Sequence, residues 1–146
     1  MDDETKRAAI RLQHLGTRLL RLARSSHGKE DLSSAQYSAM AVLYDRGPLP
    51  LVDLARAERV AHPTMSRLIA GLERRGVVER QDNIDDRRSR RVALTGAGRD
   101  LYERTCSNRV AVIGAILAQL RKETVDELLD VWGRMAGPLE NDLRHD

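Results

Sequence analysis

Apolar residues near the N-terminus fall at Ala8, Leu12, Leu15, Leu19 and Leu22, alternating steps of four and three that trace one stripe of a helix over residues 4–26. Leu20 widens that stripe, and Ser25-Ser26-His27-Gly28 ends it. A second helix is predicted from Ser33, with Gln36 three positions on as a capping box, through Tyr37, Met40, Ala41, Leu43 and Tyr44 to Arg46. Gly47-Pro48 stops it. Two short helices follow, over 51–58 and 62–75, separated by Arg59-Val60-Ala61. The pattern then shifts to extended chain, with strands predicted over 77–82 and 90–94 on either side of residues 83–89. Thr95 caps a long helix over 96–120, whose apolar positions include Leu101, Val112, Ile113, Ile116, Leu117 and Leu120. The last helix, over 123–143, carries Val125, Leu128, Leu129, Trp132, Met135, Leu139 and Leu143. Pro138 lies inside it and is expected to kink or interrupt it, because proline lacks an N–H and crowds the preceding turn.

The predicted fold is thus mainly α with a small β wing: a helix-turn-helix followed by a two-stranded ribbon, with long helices at both ends. Within the fourth helix Met65, Leu68, Ile69 and Leu72 recur at helical spacing and face a core. Pro63 suits the first turn, where a missing N–H costs nothing. The other face offers Thr64, Ser66, Arg67, Ala70, Gly71 and Arg74. Small groups near its start allow close approach to base edges, and Arg67 has the donors to pair with guanine or to grip a phosphate. Taken alone this is equally an ordinary amphipathic surface helix. The ribbon changes the balance, since Asp86-Arg87-Arg88-Ser89-Arg90-Arg91 packs four arginines into six residues at a hairpin tip. Such a density of like charge is most readily accommodated against phosphates. A helix for the major groove beside a basic tip for the backbone or minor groove is suited to duplex DNA.

Charge distribution points the same way. The net charge of the 146-residue chain is only +3, yet residues 59–91 hold nine arginines against five acids, a surplus of four. The polyanion-binding face and a solvated charged loop both remain open on composition alone. No apolar run approaches the ~20 residues of a membrane helix, and Met1-Asp2-Asp3-Glu4-Thr5-Lys6-Arg7 lacks the apolar core of a signal peptide. Cys106 is the one cysteine, so no intrachain disulfide can form. These features lead to the expectation of a cytoplasmic protein without membrane association. Asp85 and Asp86 are expected to brace arginines rather than hold a metal, and His14, His27, His62 and His145 show no metal-ligand spacing. No cofactor is implied. Nucleophile–base pairs and phosphate loops are absent, and Gly96-Ala97-Gly98 reads as a strand-to-helix junction, so enzyme activity is set aside.

A winged domain needs only about 60–70 residues, which leaves the terminal helices without an obvious role in its core. The favoured reading is that they pack together and against a second copy, giving a two-fold dimer with two reading heads. The alternative is a monomeric helical bundle appended to the wing.

Leu54-Ala55, Pro63-Thr64-Met65-Ser66-Arg67-Leu68-Ile69, Leu72-Glu73-Arg74-Arg75-Gly76-Val77-Val78 and Asp86-Arg87-Arg88-Ser89-Arg90-Arg91-Val92-Ala93-Leu94-Thr95, with Gly98, together resemble the MarR family of winged helix-turn-helix transcriptional regulators. Helix order and length are similar across nearly the whole chain. The resemblance implies one MarR-type domain over 1–146, with a DNA-binding part at 33–95 and dimerisation helices at 4–28 and 96–143. It implies that Pro63, Thr64, Ser66 and Arg67 lie at the major groove. Arg88 would enter the minor groove with Asp86 orienting it, Arg87 and Arg90 would contact phosphates, and Arg74 is a further candidate. The partner would be double-stranded DNA carrying a pseudo-palindromic operator. Members of the family typically repress nearby genes and leave DNA on binding a small aromatic or anionic effector between the dimer body and the winged domain. His14, Arg18, Tyr37 and Tyr44 are candidates to line such a pocket, each equally open to a reading as packing or surface. Cys106 is expected to be a buried or inert thiol without a partner, and Trp132 a core residue. The functional expectation is a dimeric, ligand-responsive repressor. The alternatives are a winged-helix module that binds a protein and a nonspecific architectural DNA binder.

Overall fold

The computed structural model describes the backbone over residues 1–25, 32–82 and 90–142, and the side chains over 1–22, 32–82 and 90–137. Helix α1 (Asp3–Ser25) opens where the Asp2 carboxylate accepts hydrogen bonds from the Thr5 amide and hydroxyl at 2.7 and 2.8 Å. Helix α2 (Ser34–Arg46) begins with the reciprocal capping box: the Gln36 amide donates to Ser33 Oγ at 3.1 Å, and the Ser33 amide donates to Gln36 Oε1 at 3.0 Å. Strand β1 (Leu49–Pro50) leads into α3 (Leu51–Ala57), and α4 (His62–Arg74) follows the turn. Strands β2 (Val78–Asp82) and β3 (Arg90–Leu94) form the wing. Helices α5 (Gly96–Leu117) and α6 (Lys122–Asp142) complete the chain.

Three expectations are corrected here. The sheet has three antiparallel strands in the order β1-β3-β2, rather than two. Pro50 pairs with Arg91 at the sheet edge, where a residue without an N–H is tolerated. Helix α5 stops at Leu117, and a turn in which the Gln119 and Leu120 amides bond back to Ile116 and Leu117 takes the chain to α6. Helix α6 runs uninterrupted through position 138. The interruption expected at Pro138 does not occur, because the helix continues to Asp142.

The core lies wholly in the middle of the chain. Its largest fully buried side chains are Met40 from α2, Leu54 from α3, Met65, Ile69 and Leu72 from α4, and Val92 from β3. Every buried residue among those described falls between Leu32 and Thr105. The first turns of α5 belong to this core: Gly98 and Leu101 are buried, and a Cβ at Gly98 would overlap the Val77 carbonyl oxygen. Thr95 joins the two parts. Its hydroxyl accepts from the Gly98 amide at 3.0 Å and donates to the Gly76 carbonyl at 2.7 Å. Gly76 itself turns the chain from α4 into β2 at φ 68°, a conformation that disfavours any side chain.

Beyond this core the apolar stripes stay uncovered. Leu15 is 53% exposed, Val110 62% and Leu129 56%. Trp132, expected in the core, is 46% exposed. The period correctly places it on the apolar face of α6, but among the described residues that face is left open at Leu129 and Trp132.

Candidate nucleic-acid interface

The turn between α3 and α4 is built by the backbone. Glu58 and Arg59 amides bond to Leu54 and Arg56 carbonyls, Arg59 adopts φ 51°, and the Val60 amide returns to the Ala55 carbonyl at 3.0 Å. Ser38 Oγ on α2 donates to Glu58 Oε1 at 2.9 Å, tying the turn to the helix behind it. Helix α4 then has two distinct faces. Met65, Ile69 and Leu72 are buried and Leu68 packs against the core. His62, Pro63, Thr64, Arg67 and Arg74 are exposed, and Ser66 is half-buried. The structure thus brings Pro63, Thr64, Ser66 and Arg67 together around the first two turns, with Arg74 two turns further along.

In the wing, pairing sets which side chains share a face. Val78 opposes Leu94, Arg80 opposes Val92 and Asp82 opposes Arg90. Val78 and Val92 are buried at the base, while Arg90 and Asp82 are exposed at the far end and form an ion pair at 3.5 Å. Arg80 lies between, and its Nε donates to Glu73 Oε1 of α4 at 3.1 Å. Ala93, expected on the open face with Arg91, is buried at 4%. Arg91 is half-buried, and its buried Nε has no hydrogen-bond acceptor among the described residues. Asp86, Arg87 and Arg88 lie outside the described residues.

Of the four effector-pocket candidates, two converge. Tyr37 and Tyr44 of α2 flank Tyr102 of α5, with ring centroids 5.2 and 4.6 Å from it. The Arg109 guanidinium sits 3.6 Å above the Tyr37 ring and that of Arg99 lies 5.5 Å from the Tyr44 ring. Tyr44 Oη donates to Glu103 Oε1 at 2.9 Å, which favours its neutral form and raises its pKa. Burial raises the pKa of Tyr37, and its contacts with Cys106 and Tyr102 add in the same direction. Cys106 is half-buried against Tyr37 rather than without a neighbour. His14 and Arg18 are elsewhere, exposed on α1; Arg18 borders a cleft of about 540 Å³ with Leu15, Leu19, Arg21, Leu22 and Ile116.

Sequence reasoning passed over Tyr102, and gave no site role to Arg80 and Glu73. Tyr37 and Tyr44 stand seven apart on one stripe of α2, in a chain with three tyrosines and no phenylalanine, so a bridging Tyr102 was the one signal available. Among the described residues no cluster of His, Cys, Asp and Glu could hold a metal, and no helix is long and apolar enough to cross a membrane.

The chain was compared with known proteins. A model of the MarR family matches residues 32–89. Transcriptional regulator HosA of Escherichia coli is 34% identical over 76 residues, and the match spans 52% of this chain but only 56% of HosA. An uncharacterized HTH-type transcriptional regulator of Mycobacterium bovis, Mb0904, is 31% identical over 128 residues, 88% of this chain and 90% of that protein. Among solved structures, MepR, a transcription regulator of the Staphylococcus aureus multidrug efflux pump MepA, superposes with a TM-score of 0.75 at 22% identity, covering 90% of this chain and 97% of that one. A mutant of MepR bound to an oligodeoxyribonucleotide matches with a TM-score of 0.66 at 22% identity, again over 90% and 97%. Those two likenesses establish the winged-helix fold.

Proposed function

The chain belongs to the MarR family of transcriptional regulators, and from that premise we propose that it binds duplex DNA sequence-specifically as a homodimer and represses transcription until a small aromatic or anionic effector releases it. The observation that carries this reading is the two-faced α4. Met65, Ile69 and Leu72 on its apolar side are buried while Pro63, Thr64 and Arg67 stand exposed at its start, and it leads through Gly76 directly into a wing that carries Arg80, Arg90 and Arg91. The α4 start fits the major groove, where Arg67 has guanine O6/N7 or a phosphate within its chemistry. Ser66 lies at the edge of that face and Arg74 aligns with the flanking backbone. On the wing, Arg87, Arg88 and Arg90 serve the backbone and minor groove with Asp86 holding Arg88. MepR, solved with an oligodeoxyribonucleotide, supports the same use of the shared fold.

The dimer rests on the uncovered stripes. Leu12, Leu15 and Leu20 on α1 and Leu129, Val131 and Trp132 on α6 are exposed apolar side chains left for another surface, and a second copy supplies matching helices. For effector response, the tyrosine cluster lies where α2 of the reading head meets α5 of the body, so a ligand wedged there would alter how the two are joined.

The test is fluorescence anisotropy on the duplex upstream of the protein's own gene, beside a shuffled duplex, across a salt series. Tighter binding to the upstream duplex that persists at physiological salt is expected. Equal binding that collapses with salt would instead indicate an architectural binder. Binding to neither by folded, dimeric protein would favour a protein-partner role.

A further inference from the structure

The wing is attached to the reading helix at two levels. At its base, Val78 is buried opposite Leu94 and the Thr95 hydroxyl donates to the Gly76 carbonyl. Two residues further out, Arg80 reaches back to Glu73, which lies in the last turn of α4, at 3.1 Å, and the two side chains are 33% and 30% exposed. Beyond that point, among the described residues, the inner face carries the Asp82–Arg90 pair, 79% and 68% exposed, which joins the two strands to each other and not to the helix. From Val78 to Asp82 the strand advances about 13 Å, so a small change of pitch at the base becomes a large displacement at the far end.

We infer that Glu73 and Arg80 are positioning residues, forming a strut that fixes the wing's pitch relative to α4 and so sets the spacing between the two DNA contacts. The DNA half of this inference rests on the function proposed above; the mechanical half does not. The geometry favours a strut over a phosphate contact for Arg80. Its register partner Val92 is 1% exposed, so Arg80 shares the wing face turned toward the helices, and its Nε is already committed to a carboxylate.

The experiment is a cycle of Glu73→Gln, Arg80→Gln and the double variant, read in two ways. First, amide hydrogen exchange is followed without DNA. Exchange in Val78–Asp82 and Arg90–Leu94 should quicken roughly threefold or more in each single variant, with α2 unchanged and no further gain in the double, the non-additivity expected of partners in one contact. Second, affinity for the specific duplex should fall by roughly three- to tenfold in each single variant and no further in the double, while the ranking of base substitutions under α4 and the salt slope stay those of the parent. Unchanged exchange in the wing overturns the strut outright. If Arg80 were a phosphate contact, Glu73→Gln would tighten binding and Arg80→Gln would lower the salt slope by about one ion, and that pattern also overturns it. Quickened exchange in a protein whose parent binds no duplex would sustain the strut and fail the DNA reading instead.

Discussion

Ile69 and Leu15 occupy the same kind of position, on the apolar stripe of an amphipathic helix, yet Ile69 is 0% exposed and Leu15 53%. Ile69 sits in α4, which is enclosed by α2, α3 and the foot of the wing, all within about 60 residues of sequence. Leu15 sits in α1, whose main neighbour is a single helix, α5. The contrast separates two things that periodicity merges. A helical repeat of apolar residues says which face seeks cover; only the rest of the chain, or another chain, decides whether cover is found.

The sharpest way to break this comparison is to make the same truncation on both sides. Ile69→Ala should cost about 2–5 kcal/mol, since it removes packed methyl groups and leaves a cavity in a core without room to collapse. Leu15→Ala should cost under about 1 kcal/mol in dilute protein, because about half of that side chain already faces water. Urea unfolding at several protein concentrations checks both. The cost of Leu15→Ala should grow with concentration as partner binding contributes, and that of Ile69→Ala should not. Equal, concentration-independent costs would mean that α1 is covered within its own chain.

Leu15→Arg tests the proposed cover directly. Burying an unpaired guanidinium between two copies should weaken association by roughly 3 kcal/mol, more than a hundredfold, while the unfolding of the winged part remains nearly that of the parent. Sedimentation velocity across a dilution series reads the first effect and circular dichroism melting the second. A variant that dimerises like the parent would move the partner surface away from α1.

The same contrast explains what was legible in the sequence. Helix starts were plain because caps are local: Ser33 with Gln36, and Thr95 with Gly98, need only three residues to declare themselves. The α4 stripe was plain because Met65, Ile69 and Leu72 have their partners nearby. Strand β1 was invisible, since two residues, one of them Pro50, carry no period. Glu73 and Arg80 are seven apart across a turn, so neither a helical nor a strand rule pairs them. Tyr44 meets Glu103 across 59 residues and Tyr37 meets Tyr102 across a similar gap, contacts that only the finished packing of α2 on α5 creates. Trp132 was misplaced for the reason that opened the comparison: its stripe was read correctly and its cover was assumed.

If the two regions are as separate as this packing implies, damage to the reading face should leave assembly untouched. Arg67→Ala removes an exposed side chain that makes no ion pair among the described residues, so melting temperature and oligomeric state should match the parent. Affinity for the specific duplex should fall by about 1–3 kcal/mol, with preference relaxed at one base position. Competition by a panel of singly substituted duplexes reads this out. Uniform weakening across the panel would make Arg67 a phosphate contact, and no weakening would remove it from the interface.

The smallest effect is expected where the two regions meet. Burial holds the Tyr37 hydroxyl neutral and raises its pKa above the ordinary value of 10.0. In the unfolded chain Tyr37 therefore loses its proton first, and the folded state binds more protons than the unfolded one once the pH passes 10. The stabilisation from keeping Tyr37 neutral is fully present below pH 10 and is lost as pH rises toward the folded value. Its slope can reach at most about 1.4 kcal/mol per pH unit, and partial solvent access at the ring makes it smaller. Tyr37→Phe removes the titrating group and keeps the ring against Tyr102 and beneath Arg109, so its stability should decline less than the parent's between pH 10 and 11 and match its shape below pH 9. Parallel curves for the two proteins would mean that α2 and α5 part before Tyr37 ionises, and that the head and body separate more easily than the stacked tyrosines imply.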